Sequence, residues 1–267
     1  MGKIYLDKNL EKVALPIKAN TGSSGLGVLP TGSRIKINAK AIRVFTYWEK
    51  VNDVDLSCFS VDGEGKTREY SWRYVQGKLV EDALTFSGDV TNGYNGGVEY
   101  FDVDLDKYRK LHPDDLYLVF PNNVYSILNF SGFYCKAGFM ERNDLEAGLI
   151  FEPKTVKSSF IVNAQATQIY AFAIDLISRE FVWLNMTSGL NTRIAGEDRS
   201  GLAYVFSTLE VGNIINYKLL FSLLGSEFVK NAKNANVVVS DDDKINTNNL
   251  PIYHSYDIDK IIKLINE

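Results

Sequence analysis

Histidine and cysteine are scarce in this chain, with two of each among 267 residues. That scarcity removes most of the chemistry that depends on them. His112 stands in the polar stretch "KLHPDD" and His254 in "IYHSYD". Neither neighbourhood offers a Ser/His/Asp, Cys/His or zinc-binding arrangement. Cys58 and Cys135 each sit inside an apolar, strand-like run, the ordinary setting of a buried free thiol. No catalytic residue emerges from these four positions.

Positive charge is not in excess either. The 29 Lys and Arg are outnumbered by 33 Asp and Glu, giving a formal charge of -4. Both signs are spread along the chain, so no basic field exists to attract nucleic acid or an anionic lipid surface. Long apolar runs are missing as well. The longest, around "IYAFAI" near residue 170, falls far short of the roughly 20 residues that span a bilayer. The opening "MGKIYLDKNLEKVALPIKAN" lacks the apolar centre of a signal peptide, and Leu6 stands where an acylation signal would place Ser or Thr. These features predict a cytoplasmic protein without direct membrane insertion.

What is present is a 45% hydrophobic composition with 15 Tyr, 15 Phe and 3 Trp, enough to bury a sizeable core. Short runs rich in β-branched and aromatic residues alternate with turns: "RIKIN", "IRVFTYW", "VDLSCFSV", "REYSWRYV", "VEYFDVDL", "LYLVFPNNVY", "GFYCKAGFM", "SFIVN", "QIYAFAIDL" and "EFVWLNM". Many short strands at regular spacing predict a mainly β fold, a two-sheet antiparallel β-sandwich over residues 34–187. A Gly/Ser-rich lead, residues 1–33, precedes it. From residue 188 to 267 the pattern changes to a small C-terminal α/β extension, with helical spacing in "NIINYKLLFSLLGSEFVKNAKNA", a strand at "NVVVS" and a closing helix at "DIDKIIKLINE". Helices are expected to concentrate after residue 205.

Several stretches imitate enzyme motifs. "SVDGEGKT", residues 60–67, ends like a phosphate loop, but Ser60 replaces the first glycine and a strand follows instead of a helix, so a hairpin turn is expected. The "GLG" at residues 25–27 is followed by Pro30 rather than a helix. An EF-hand begun at Asp102 fails because Lys107 and Pro113 occupy the positions of the glycine and the bidentate glutamate. The triple aspartate at 241–243 reads as a solvated loop.

The acids of residues 53–55 and of "FSGDVTNGYNGGVEYFDVDLD", residues 86–106, carry more. Alternation along "VEYFDVDL" sends Phe101, Val103 and Leu105 to the core and Asp102 and Asp104 to solvent. Glu99 shares the inward parity, at a rim beside the loop that carries Asp89, Asn92 and Asn95. A carboxylate there wants a partner, and a cation would supply one. Asp53 and Asp55 open the strand "VDLSCFSV" and can meet the same rim.

Taken in order, "VNDVDLSCFSVDGEGK", "FSGDVTNGYNGGVEYFDVDLD", "AGFMERND" and "YAFAIDLISREFVWLNM" resemble the TerD family of tellurite-resistance and bacterial stress-response proteins. The likeness covers residues 34–187. It implies a calcium-binding β-sandwich without known catalysis, acting with protein partners of a stress-response or defence system. It places Asp53, Asp55, Asp89 and Glu99 at the family's acidic positions, with Asn92 and Asn95 as further metal candidates. Val90 and the Gly97-Val98 pair stand where the family carries an amide and two carboxylates. Two outcomes stay open: a weak calcium site, or a relic in which Val90 and Val98 fill the space. The alternative function is a divalent-metal-dependent hydrolase or nucleotide-handling enzyme using the same acids. A sugar-binding sandwich, suited to the many aromatics, is a third.

Overall fold

Period-two patterning between residues 41 and 186 resolves into two sheets because each strand has an apolar face to hide. In this computed structural model the residues described are 2–11, 13, 15, 31–72, 79–81, 83–125, 129–142, 156–187, 199–211, 216–255, 257, 260, 261, 263 and 264. The strands of the two sheets are β2 (Arg34–Lys36), β3 (Ala41–Glu49), β4 (Val54–Leu56), β5 (Cys58–Asp62), β6 (Thr67–Tyr70), β7 (Leu79–Glu81), β8 (Leu84–Phe86), β9 (Gly97–Asp104), β10 (Asp115–Val124), β11 (Tyr134–Arg142), β12 (Val156–Ile161), β13 (Gln168–Asp175) and β14 (Glu180–Met186). One sheet runs β12-β11-β3-β9-β8-β7. The other runs β2-β14-β13-β10-β5-β6, with β4 also paired to β10. The pairings that flank the core are antiparallel.

Aromatic rings join the two sheets. Phe101 of β9 lies 6.0 Å from Phe120 of β10, Phe139 of β11 lies 4.7 Å from Phe181 of β14, and Phe160 of β12 lies 4.9 Å from Trp183. Phe120, Phe172 and Phe181 stack in turn across the second sheet. This is the sandwich expected of residues 34–187. The second sheet is apolar on its other face too, where Leu202, Val205 and Leu209 of helix α2 (Arg199–Val211) pack on Phe59, Val119, Tyr170 and Val182. Burial on both faces explains why every residue of "QIYAFAID" is buried and why its sequence shows no alternation.

Two elements differ from the sequence reading. A helix, α1 (Leu105–Leu111), follows β9 directly, capped by Asp104, whose side chain accepts from the Lys107 amide. Asp102 is not on a solvated face. It is 2% exposed and pairs bidentately with the fully buried Arg43, at 2.7 Å for both contacts, while Arg43 lies over the Tyr100 ring at 3.8 Å. Strand parity was right about which way Asp102 points, but that side is also covered.

The smaller unit comprises residues 1–22, 29–35 and 213–267. Strand β1 (Lys3–Leu6) pairs in parallel with β15 (Glu227–Phe228) and β16 (Val237–Val239), and β16 with β17 (Ile252–Tyr253). Helix α3 (Tyr217–Leu223) buries Tyr217 and Phe221 with Ile4, Leu6, Val239 and Ile261. Of the α/β extension expected over residues 188–267, helix α2 belongs to the larger unit, and the smaller unit takes up from residue 213, with one of its inner strands supplied by the N-terminus. Much of the Gly/Ser-rich lead, including the "GLG" at 25–27, lies outside the described residues. Among the described residues no helix is long and apolar enough to cross a membrane.

The Arg43–Asp102 pair sets a stability test. Replacing Asp102 with Ala leaves a buried guanidinium without its carboxylate and should cost about 3–5 kcal/mol by chemical denaturation. The double change Arg43→Met with Asp102→Leu should recover most of that loss. A mild Asp102→Ala phenotype would mean that water reaches the pair.

Candidate metal centre

Two carboxylates meet at the start of the short strand β4, Asp55 within it and Asp53 just before it. Asp53 and Asp55 are two residues apart in extended chain, so both project the same way. The backbone fixes them there: Asp55 is the Cα partner of Asn123 on β10, and the Tyr125 amide donates to the Asp53 carbonyl at 3.2 Å. Asp89 arrives from the loop between β8 and β9. One carboxylate oxygen from each of Asp53, Asp55 and Asp89 lies within 4.8 Å of the others. Asp53 Oδ1 is buried and has no hydrogen-bond partner among the described residues. Burial first, and then the negative charge of Asp89, pushes the Asp53 carboxyl up to about 6.

Glu99, on β9, is 1% exposed. Its two oxygens are taken by backbone donors: Oε2 accepts from the Leu56 amide at 2.7 Å and Oε1 from the Val90 amide at 2.9 Å. One side chain of β9 thus ties down both β4, which carries Asp55, and the loop that carries Asp89. Burial raises the Glu99 carboxyl well above its ordinary value; the two amide bonds work against this, and Asp55 and Asp89 add to it.

The loop of glycines is shaped by a tryptophan. A Cβ at Gly93 would come within 2.5 Å of the Trp48 ring nitrogen, and one at Gly97 within 2.4 Å of its ring carbons. Gly96 has φ +123°, a conformation open to glycine. The loop is then latched to the turn before β4, with Gly93 N donating to Asn52 O at 2.7 Å and Lys50 N to Tyr94 O at 2.8 Å.

The structure brings together Asp53, Asp55 and Asp89, and places Glu99 as their support. Asn92 and Asn95 are exposed on the loop. Val90 and Val98 are half-buried, and the Val90 amide is engaged by Glu99. Asp53, Asp55 and Asp89 therefore converge, whereas both oxygens of Glu99 are taken by backbone amides. Sequence reasoning passed over Asn123, which is 1% exposed in β10. The available signal was the amide pair of "PNNV" inside an otherwise apolar strand.

Elsewhere, "SVDGEGKT" forms the hairpin turn between β5 and β6, where Asp62 accepts from the Glu64 and Lys66 amides. Cys58 and Cys135 are buried, and burial raises both thiols. His112 Nδ1 meets Arg68 at 2.9 Å and His254 Nε2 lies 3.3 Å from Asp243. Comparison with protein-family models, curated proteins and solved structures finds no match to this chain. The arrangement itself must carry the reading.

Two measurements follow from this geometry. Glu99→Gln puts an amide nitrogen against one of two backbone donors and should destabilise the fold by about 1–3 kcal/mol; Gly97→Ala drives a methyl into Trp48 at a similar cost of about 1–3 kcal/mol. Denaturant titration reads both, and a neutral Glu99→Gln would remove the tie. For pH, Asp53 holds its proton more tightly folded, at about 6, than at its ordinary 3.8. Its contribution is fully present below the ordinary value and is lost as pH rises toward and through about 6. The melting temperature of metal-free protein relative to Asp53→Asn should fall between pH 4.5 and pH 7, roughly the span of that titration. A flat difference would contradict the raised value.

Proposed function

We propose that the sandwich is a non-catalytic binding module that takes up calcium at Asp53, Asp55 and Asp89. The observation that carries this reading is the orphaned Asp53 Oδ1, buried beside two further carboxylates within 4.8 Å. A buried carboxylate oxygen without a donor is costly, and neighbouring negative charge adds to that cost. A divalent cation offsets both terms at once. Hard carboxylate oxygens suit calcium, whose flexible shell of about 6–8 oxygens tolerates ligands drawn from a strand and a loop. Magnesium demands near-octahedral geometry and keeps its waters, so it is the weaker occupant.

The resemblance to the TerD family supports the same reading and adds its setting, a bacterial stress-response or defence system with protein partners. The function is then to bind and to present a surface, with no bond made or broken. Glu99 holds the frame, and the three aspartates hold the ion.

Calcium titration calorimetry on the parent and on Asp89→Asn tests this. The parent should give saturable heat with a Kd between about 10⁻⁵ and 10⁻³ M, and Asp89→Asn should lose most of it. Because the cation displaces the Asp53 proton, affinity should fall by up to about tenfold for each pH unit below about 6. An absence of heat at millimolar calcium at pH 7.5 would overturn the reading.

A further inference from the structure

A second unmet polar group stands beside the acids. Asn123 is the register partner of Asp55 on one side and of Gln168 on the other. The Tyr125–Asp53 backbone bond continues the same ladder. Asn123 therefore projects from the face that carries Asp53 and Asp55, and directly opposed residues bring their Cβ atoms within about 4.5–5.5 Å. The side chain is 1% exposed, and neither Oδ1 nor Nδ2 has a partner among the described residues. Gln168, equally buried, gives its amide nitrogen to the Tyr170 hydroxyl at 3.2 Å. The strand can thus satisfy a buried amide, and at Asn123 it does not.

An amide left unbonded in a protein interior carries the desolvation cost of each unsatisfied group in full. Leucine, of similar volume, would fill the same place without that cost. A polar side chain that packs as if apolar, next to three converging carboxylates, needs a partner that can meet an oxygen. We propose that Asn123 Oδ1 is a ligand of the cation held by Asp53, Asp55 and Asp89.

The chemistry fits the calcium reading, on which this inference rests. Calcium accepts asparagine carbonyl oxygens beside carboxylates. A neutral oxygen adds to the shell without adding to the repulsion among three negative groups. Rotation about the last side-chain torsion decides which amide atom faces the acids, and a cation selects the oxygen. Asn123 also makes the site a product of both strands of the β4–β10 ladder, where the aspartates alone would place it on β4 and one loop.

The test compares the parent, Asn123→Leu and Asn123→Asp by calcium calorimetry at pH 7.5 and by thermal melting without metal. Asn123→Leu should raise the calcium Kd about tenfold or more, since affinity follows the ligand set. Its metal-free melting temperature should equal or exceed that of the parent, because an unsatisfied amide is gone. Asn123→Asp should bind calcium more tightly than the parent and melt lower without metal, because a fourth carboxylate adds both a charged ligand and repulsion. Parent-like calcium affinity in Asn123→Leu overturns the assignment. Should that variant not fold, an Asn123→Asp protein that binds no more tightly than the parent overturns it as well. Loss of binding in Asp89→Asn with parent-like Asn123→Leu would leave the acidic site standing and remove only Asn123. A parent that binds no calcium removes both.

Discussion

The rim depends on one carboxylate that is almost wholly buried. Glu99 reaches from β9 in one sheet to the Leu56 amide of β4, a strand of the other, and to the Val90 amide in the loop between β8 and β9. Without it, β4 would keep only its β10 partner and the loop would lose its anchor at Val90. The bond pattern also explains why Glu99 is itself a poor first choice as a ligand, since each of its oxygens already accepts a strong backbone hydrogen bond. Its role is to position the strand start and the loop that carry Asp55 and Asp89. Its raised carboxyl, driven first by burial, is the cost of making one side chain a bridge between sheets.

The surrounding glycines serve that bridge. Gly93 and Gly97 leave room for the Trp48 indole, which is fully buried under the loop. The indole supports the loop from below while the Gly93 and Lys50 amide bonds hold it from the side. Asp89 is thereby presented by a braced segment, although it is itself exposed. Groups held on a two-strand ladder and a braced loop are already ordered, so a ligand that met them would cost little further entropy.

Sequence patterning gave the sandwich because its signals are local. Alternation in "IRVFTYW" and "VEYFDVDL", and the turn in "DGEGK", each need only a few neighbouring residues. That Asp53, Asp55 and Asp89 come together was also legible, since acids at a strand start and in a nearby glycine loop can meet at one rim. What the pattern left out is non-local. Asp102 alternates as a solvent-facing residue should, and only the opposing Arg43, 59 positions away, reveals that its face is covered. The strand Lys3–Leu6 is four residues long, and its partners lie more than 220 residues away. Asn123 reads as a strand residue until its register with Asp55 is known.

The two polar positions of "PNNV" show how one strand serves two environments. Asn122 faces the sandwich interior, where its Nδ2 donates to Thr46 Oγ1 at 2.7 Å, and Thr46 is the cross-strand partner of Glu99. Asn123, one residue on, faces the opposite side with Asp55. The polar character of the rim therefore passes through the sheet at this point, with Glu99, Thr46 and Asn122 on one side and the aspartates and Asn123 on the other. Apolar side chains at these positions would pack more cheaply, because Asn122 Oδ1 and both amide atoms of Asn123 lack partners among the described residues. Among the described residues four of the unmet buried polar atoms, Asp53 Oδ1, Asn122 Oδ1 and both amide atoms of Asn123, lie along this one ladder, while others such as Trp183 Nε1 and Ser226 Oγ stand singly elsewhere.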